Sequence, residues 1–389
     1  MFCKTNISIF AQILQEISRN DLNKIVVETG AERYAKGFSA RDHLAAMMFG
    51  QLGKANSLRE IEGGLASCCG KLNHLGLKGA PAKSTLSYAN KIRPAAMFEK
   101  LFYCLLDKCS AVAGKVKKKF KFKNPVYSLD ASVIDLSLSM FDWAYFRRAK
   151  GAVKIHMVLD HEGYLPTFLN ITEGNVHEIN VARMLDFEPG SIIAMDKGYT
   201  DYDLFADWTR KKVYFVTRQK ENARYSVVEE AEVPQNSDII KDQLIELDGF
   251  YSNKSCPHLL RRIEVWNAEK NEKMVFLTNH KKLSPVTIAA IYKERWQIEI
   301  FFKTLKQNLK IKTFIGTSKN AVLTQIWTAF ISILMLKYLK LKSSFNWSLS
   351  NLVAMIRFNL LVYRPLGEWL NDPYQPPPEP EYEQLKLTF

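Results

Sequence analysis

The sequence of 389 residues predicts an α/β protein in which a mixed sheet covered by helices follows an all-α front segment. Three observations carry that prediction. Apolar residues recur three and four apart up to about residue 110, two-residue alternation takes over from Pro125, and helical spacing returns from Ser284.

The elements follow in order. Ile9, Ile13 and Ile17, and later Leu101 and Leu105, mark the buried stripes of front helices. Ser57, three residues before Glu60, is a predicted N-cap, and a second helix is predicted from Ser84 to Arg93. With Arg59, Lys83, Lys91 and Arg93 on their surface, these two helices read either as a helix-turn-helix or as a bundle with solvated charges. Lys115 to Lys123 carries six lysines in nine residues and reads as a linker, either solvated or paired with phosphates. Strands are then predicted at 126–136, 153–160 and 164–172, a meander turning at the run Asp160-His-Glu-Gly. A helix at 177–187, a buried strand at 191–196, a helix at 201–210 and a strand at 213–218 complete a βββ-α-β-α-β order. Residues 219–283 break the rhythm with a polar stretch and strand-like segments at 243–247, 260–266 and 274–277, a β-rich insertion. One helix is predicted over 284–310 and another over 321–340, before a Pro-rich tail from 373.

Composition excludes a mostly disordered chain, because 47% of the residues are hydrophobic. Cys3, Cys68, Cys69, Cys104, Cys109 and Cys256 form no C-x-x-C pair, and the N-terminus lacks a basic region leading into an apolar run. The expectation is a reducing, cytoplasmic setting without structural zinc. The long apolar stretch at 321–336 contains Thr324 and Gln325 and falls short of the roughly 18 to 20 residues of a membrane span, so a core helix and no membrane partner are expected. Fifty-four basic against 40 acidic side chains leave a net charge of +14, which points to a polyanionic partner, nucleic acid first.

Position selects three acids as carriers of chemistry. Asp130 lies inside a predicted strand on the same face as Ser128 and Ser132, where an unpartnered carboxylate is costly. Asp196 ends the buried strand, the place where open α/β sheets hold ligands. Tyr292, Arg295, Glu299 and Lys306 project from one predicted helix within an arc of roughly 60°, beside an apolar face of Ile298, Phe301, Phe302, Leu305 and Leu309. That face reads either as a carboxylate flanked by phosphate-binding cations or as a solvated i, i+4 ion pair. Phosphodiester cleavage is served by two divalent cations roughly 4 Å apart, held by oxygen ligands, and Asp130, Asp196 and Glu299 supply such a set. No nucleophile elbow and no P-loop competes, and His156, His161 and His177 read as structural.

The spacing Tyr292-x2-Arg295-x3-Glu299-x6-Lys306 resembles the YREK signature of the DDE transposases of the insertion-sequence-four family, in which Asp130 and Asp196 match the two aspartates. Four fixed residues at fixed spacing arise by chance at roughly one in 10⁵ starting points. The resemblance implies an RNase H-like catalytic core using magnesium, or manganese as a substitute, at a two-metal site. It also implies cut-and-paste transposition through hairpin ends in a homodimer, on double-stranded DNA with terminal inverted repeats and on target DNA, in a prokaryotic cytoplasm. Asp130, Asp196 and Glu299 would be the metal ligands, and Tyr292, Arg295 and Lys306 would hold the DNA backbone. Trp296 resembles an aromatic that stacks near a flipped base, and core packing is the alternative. Tyr199 resembles the tyrosine after the second aspartate, and Arg218 is placed to reach a phosphate. Lys197 stands where many relatives have arginine.

The expected organisation is an all-α DNA-end-binding domain at 1–114, a linker at 115–124, core at 125–218 and 284–372 around the insertion at 219–283, and a tail at 373–389. Two other functions fit the same residues: a transposase-derived DNA-binding protein without cleavage, and an RNase H-like nuclease without strand transfer.

Overall fold

The computed structural model describes residues 7–374 apart from 34, 69, 71, 115–118, 138–140, 142, 148–149 and 312. Cys3, Cys69, the first part of the lysine run and all but the first two residues of the Pro-rich tail lie outside the described residues. The chain divides into two compact units, one of Met1–Leu105, Asn308–Lys310 and Trp327–Phe389, the other of Leu106–Gln307 and Ile311–Ile326.

The first unit is helical. Ser8, Ser18, Ser39 and Ser57 each accept a backbone N–H and start the helices Ile9–Gln15, Arg19–Thr29, Ala40–Leu52 and Leu58–Ala66. The C-terminal chain closes on these helices, with the N–H groups of Ile9 and Phe10 donating to the carbonyls of Val362 and Leu360. After the short helix Leu72–Leu75, the helix predicted from Ser84 runs Lys83–Ile92, one residue earlier than predicted. Ala82 gives it no side-chain cap, and the Glu62 carboxylate accepts the Lys83 N–H instead at 3.1 Å. Arg93 is a correction to the solvated basic face. It is buried and donates to the carbonyls of Ala31, Phe38 and Ser39, because a chain turn left without partners needs those oxygens satisfied.

The second unit is built on a ten-stranded mixed sheet. Its strands are β1 (Val126–Leu136), β2 (Tyr145–Arg147), β3 (Lys150–Asp160), β4 (Leu165–Glu173), β5 (Ile192–Met195), β6 (Tyr214–Arg218), β7 (Tyr225–Ala231), β8 (Ile239–Leu247), β9 (Leu260–Asn267) and β10 (Glu272–Thr278). Their order is β2-β3-β1-β5-β6-β10-β9-β8-β7, with β4 paired on β3. β1, β5 and β6 run parallel, and the other pairings are antiparallel. β5 is buried at every residue, as an unbroken apolar run in a parallel sheet requires. Alternation sorts it: Ile193 and Met195 pack with Leu129, Phe205, Trp208 and Phe215 on one face, Ile192 and Ala194 with Val126, Ile288, Ile291 and Tyr292 on the other.

The residues expected to form a β-rich insertion extend this same sheet. β10 pairs antiparallel with β6, Phe276 opposite Arg218, so the insertion leaves and rejoins the core through ladder hydrogen bonds. β7 and the short helix Phe250–Ser255 were not predicted. β7 is an exposed edge whose EEAE run masks its alternation, and only pairing with β8 makes it a strand.

The helix Lys319–Lys342 is long and apolar enough to cross a membrane, but 94% of its apolar window is buried inside the protein. It is a core helix.

Candidate active site

Strand register brings the first two acids together. Leu129 of β1 lies beside Met195 of the parallel β5, so Asp130 and Asp196, one residue further along each, are neighbours at the carboxyl ends of adjacent strands. Even-numbered residues of both strands face the side of the sheet covered by the helix Pro285–Glu294. The Asp130 carboxylate is therefore aimed toward the chain that carries Glu299.

That chain is not the single helix its spacing predicts. It breaks at Arg295 into Pro285–Glu294 and Trp296–Asn308. At the break, Arg295 N–H donates to Tyr292 O and Ile298 N–H to Arg295 O, both at 3.1 Å, the tighter i to i−3 pattern. Residue spacing alone carries no sign of it, since neither Pro nor Gly marks the site. The consequence is favourable for an acid: Glu299 falls in the first turn of a new helix, where the exposed N–H groups stabilise negative charge. Ile298, Phe301, Phe302, Leu305 and Leu309 are buried, as the predicted apolar face requires.

Arg295 ties the acids to one another. Its guanidinium contacts Glu299 at 2.6 Å and Asp130 at 3.9 Å, with the side chain only 11% exposed. The Tyr292 ring lies 5.4 Å from the guanidinium carbon and packs on Phe276 from behind. Burial opposes the charge on Arg295, but Tyr292, Glu299 and Asp130 outweigh it and hold the group above its ordinary pKa. Burial drives the Asp130 carboxyl up to about 6; the Ala131 N–H and Arg295 pull it down, while Glu299 and Asp196 push it further up. Asp196 caps the turn Lys197–Tyr199, accepting the Gly198 N–H at 3.4 Å.

Other predicted residues are placed less uniformly. Tyr292 is buried and underlies Arg295. Tyr199 is also buried, its hydroxyl without a hydrogen-bond partner, and its pKa is raised by burial and then by Asp130, Glu178 and Asp196. Lys306 donates to the carbonyl of Val133, three residues past Asp130, at 2.8 Å. Arg218, half-buried, ends β6 opposite Phe276. Trp296 is 56% exposed, which removes core packing as its role. A cleft of about 550 Å³ opens beside Asp196, lined by Lys197, Gly198, Lys220, Glu221 and Asn222. The structural histidines are as read: His156 bonds Thr172, His161 bonds Ser128, and His177 caps the helix Glu178–Ala182.

Sequence reasoning missed Glu294, next to Arg295. It is buried, accepts the Tyr164 hydroxyl at 2.7 Å and pairs with Lys119 at 2.8 Å. The available signal was an acid on the apolar stripe of its helix, which needs partners when buried.

Among the described residues no three acidic, histidine or cysteine side chains stand close enough together to share one metal ion. The donor chemistry nevertheless suits a hard divalent cation: Asp130 and Asp196 end adjacent strands, and a buried guanidinium stands between Asp130 and Glu299 as the compensating cation.

Comparison with known proteins identifies the family. The Transposase DDE domain family matches residues 122–335, and a domain of unknown function matches residues 5–78. A relative from Sinorhizobium fredii bearing the name transposase y4zB is 31% identical over 74% of this chain and 78% of its own. A probable transposase for insertion sequence element IS5377 from Geobacillus stearothermophilus is 25% identical over 71% of this chain and 72% of its own. Among solved structures, a piggyBac transposase synaptic complex with hairpin DNA overlaps 91% of this chain and 78% of that one, at 11% identity and a TM-score of 0.42, a likeness too slight to carry an argument. With a DDE domain over more than half its length and a 31% identical relative matched over about three quarters of both chains, the chain belongs to the DDE transposases of the insertion-sequence-four type, enzymes that cleave and transfer DNA strands.

Proposed function

We propose that this transposase binds the terminal inverted repeats of its element as a homodimer, cuts them through hairpin ends and joins them to target DNA. The observation that carries the reading is the convergence of Asp130 and Asp196, on adjacent parallel strands, with Glu299 through Arg295. Asp130, Asp196 and Glu299 would hold two magnesium or manganese ions, which when bound activate the attacking oxygen and stabilise the leaving one. Arg295 and Lys306 supply cations along the face where a backbone phosphate must approach, and Tyr292 positions Arg295 from below. The buried Tyr199 would hold the turn that Asp196 caps, its backbone N–H donating to the Asp196 carbonyl. Lys197 and Arg218 lie at or near the cleft beside Asp196, where the flanking strand would run. The net charge of +14 supports a DNA partner of this kind. Incubating the protein with magnesium and a linear DNA that carries the terminal repeats tests it. Excised and joined products are expected; cutting without joining makes it a nuclease, and binding alone makes it a DNA-binding protein.

Lys306→Ala is expected to flatten the log-log salt dependence of end binding by about 0.9 for one lost duplex phosphate. An unchanged slope with a lowered Tm would reduce Lys306 to a clamp between its helix and β1.

Trp296→Ala is expected to leave Tm unchanged, since the side chain is mostly exposed. Hairpin formation should slow while first-strand nicking continues, because stacking on an unpaired base is worth about 1 to 3 kcal/mol. An abasic site at the flipped position should partly restore the rate; equal loss at every step sinks the stacking role.

A further inference from the structure

We infer that Arg295 is an internal counter-ion that competes with divalent metal for Glu299 and Asp130, so that metal loading frees its guanidinium to take a DNA phosphate. This rests on the proposed metal-dependent function and adds to it an order of events that the acid triad alone does not contain.

Four observations support it. Arg295 is already committed, at 2.6 Å from Glu299 and 3.9 Å from Asp130, to oxygens the metal would need. It is also too enclosed, at 11% side-chain exposure, to meet an incoming backbone where it stands. No three candidate ligands among the described residues are close enough to share an ion, as expected when a planar guanidinium sets the spacing of the carboxylates. Finally, the Tyr292 ring at 5.4 Å gives the guanidinium an aromatic face to stay against once it leaves the acids. Glu294, held by Lys119 and Tyr164, fixes the backbone next to Arg295, so the change falls on the side chain and not on the helix break.

A carboxylate that accepts a metal ion has less attraction left for the guanidinium, and by linkage each ligand strengthens the other: metal raises the affinity of Arg295 for phosphate, and bound DNA raises the affinity for metal. An arginine held away from these carboxylates and serving only as a DNA contact has no such effect on metal in the absence of DNA.

The test is manganese titration of the DNA-free full chain by calorimetry, counting only binding that Asp130→Asn removes. Arg295→Gln, uncharged, is expected to bind manganese about ten-fold more tightly than wild type, within the usual range of coupling between sites. Arg295→Lys, which keeps the charge, should stay near wild type. Equal or weaker binding by a folded Arg295→Gln overturns the inference and leaves the metal site standing. Absence of Asp130-dependent binding in every protein overturns the metal site and the inference together. Should Arg295→Gln fail to fold by circular dichroism, the wild type decides. Its affinity for a labelled DNA end, at fixed ionic strength, should rise several-fold with magnesium over chelator, and indifference to magnesium overturns the inference.

Discussion

Replacing Asp130, Asp196 or Glu299 with alanine, one at a time, is expected to lower strand cleavage by about 10³-fold or more while DNA-end binding persists. The magnitude follows from losing several kcal/mol of metal-assisted stabilisation at about 1.36 kcal/mol per decade of rate. A variant that cuts near the wild-type rate leaves the site. Substitution at Asp130 also carries a stability signature. Asp130 holds its proton in the fold up to about pH 6, chiefly through burial, whereas the unfolded chain releases it near the ordinary 3.8. Stability associated with this proton is therefore fully present below pH 3.8 and is lost as pH rises to about 6. In chelator above pH 6, Asp130→Asn should be more stable than wild type by on the order of 2 to 3 kcal/mol, and the difference should vanish near pH 4. Melting curves across that window check the sign; a wild type that stays the more stable protein above pH 6 contradicts the burial argument.

The second large effect is expected far from the acids. Arg261 of β9 forks onto Asp242 of β8 with bonds of 2.7 and 2.6 Å, and the two side chains are 12% and 4% exposed. The same guanidinium donates to the carbonyls of His280 and Leu283, which lead into Ser284, the N-cap of the helix that carries Tyr292. Asp242→Ala strands this charge in the interior and should cost about 3 to 5 kcal/mol, read as a fall in Tm. Cleavage should fall with it, since the carbonyls before the helix lose the anchor of their donor. Replacing both partners with well-packed apolar residues should recover most of the stability, as buried pairs often contribute little beyond their apolar equivalents. If stability returns without activity, Arg261 positions the site; if both return together, the pair only packs.

Much of the molecule was legible because the relevant forces are local. β1 was readable at 126–136 with both ends right, the cap serine Ser57 marked a real helix start, and the helix predicted over 201–210 begins one residue later with Asp201 as its cap, since N-caps and alternation are properties of a few adjacent residues. The apolar face of Ile298, Phe301, Phe302, Leu305 and Leu309 was equally plain. Where partners come from distant segments, the reading faltered. β7 became a strand only by pairing with β8, Arg93 was buried by carbonyls some 54 to 62 residues away, and Glu294 and Arg295 at the helix break find partners in Lys119 and Asp130.

The sequence by itself determined which acids and cations stand at which spacing, most of the strands and helices that carry them, and the family they belong to, because each is written in neighbouring residue types. The tertiary structure alone decided that Asp130 and Asp196 are side by side, that Arg295 lies between Asp130 and Glu299, and that Trp296 faces solvent. Those are matters of sheet register and burial, which are set by contacts between segments up to about 170 residues apart, and no local pattern encodes them.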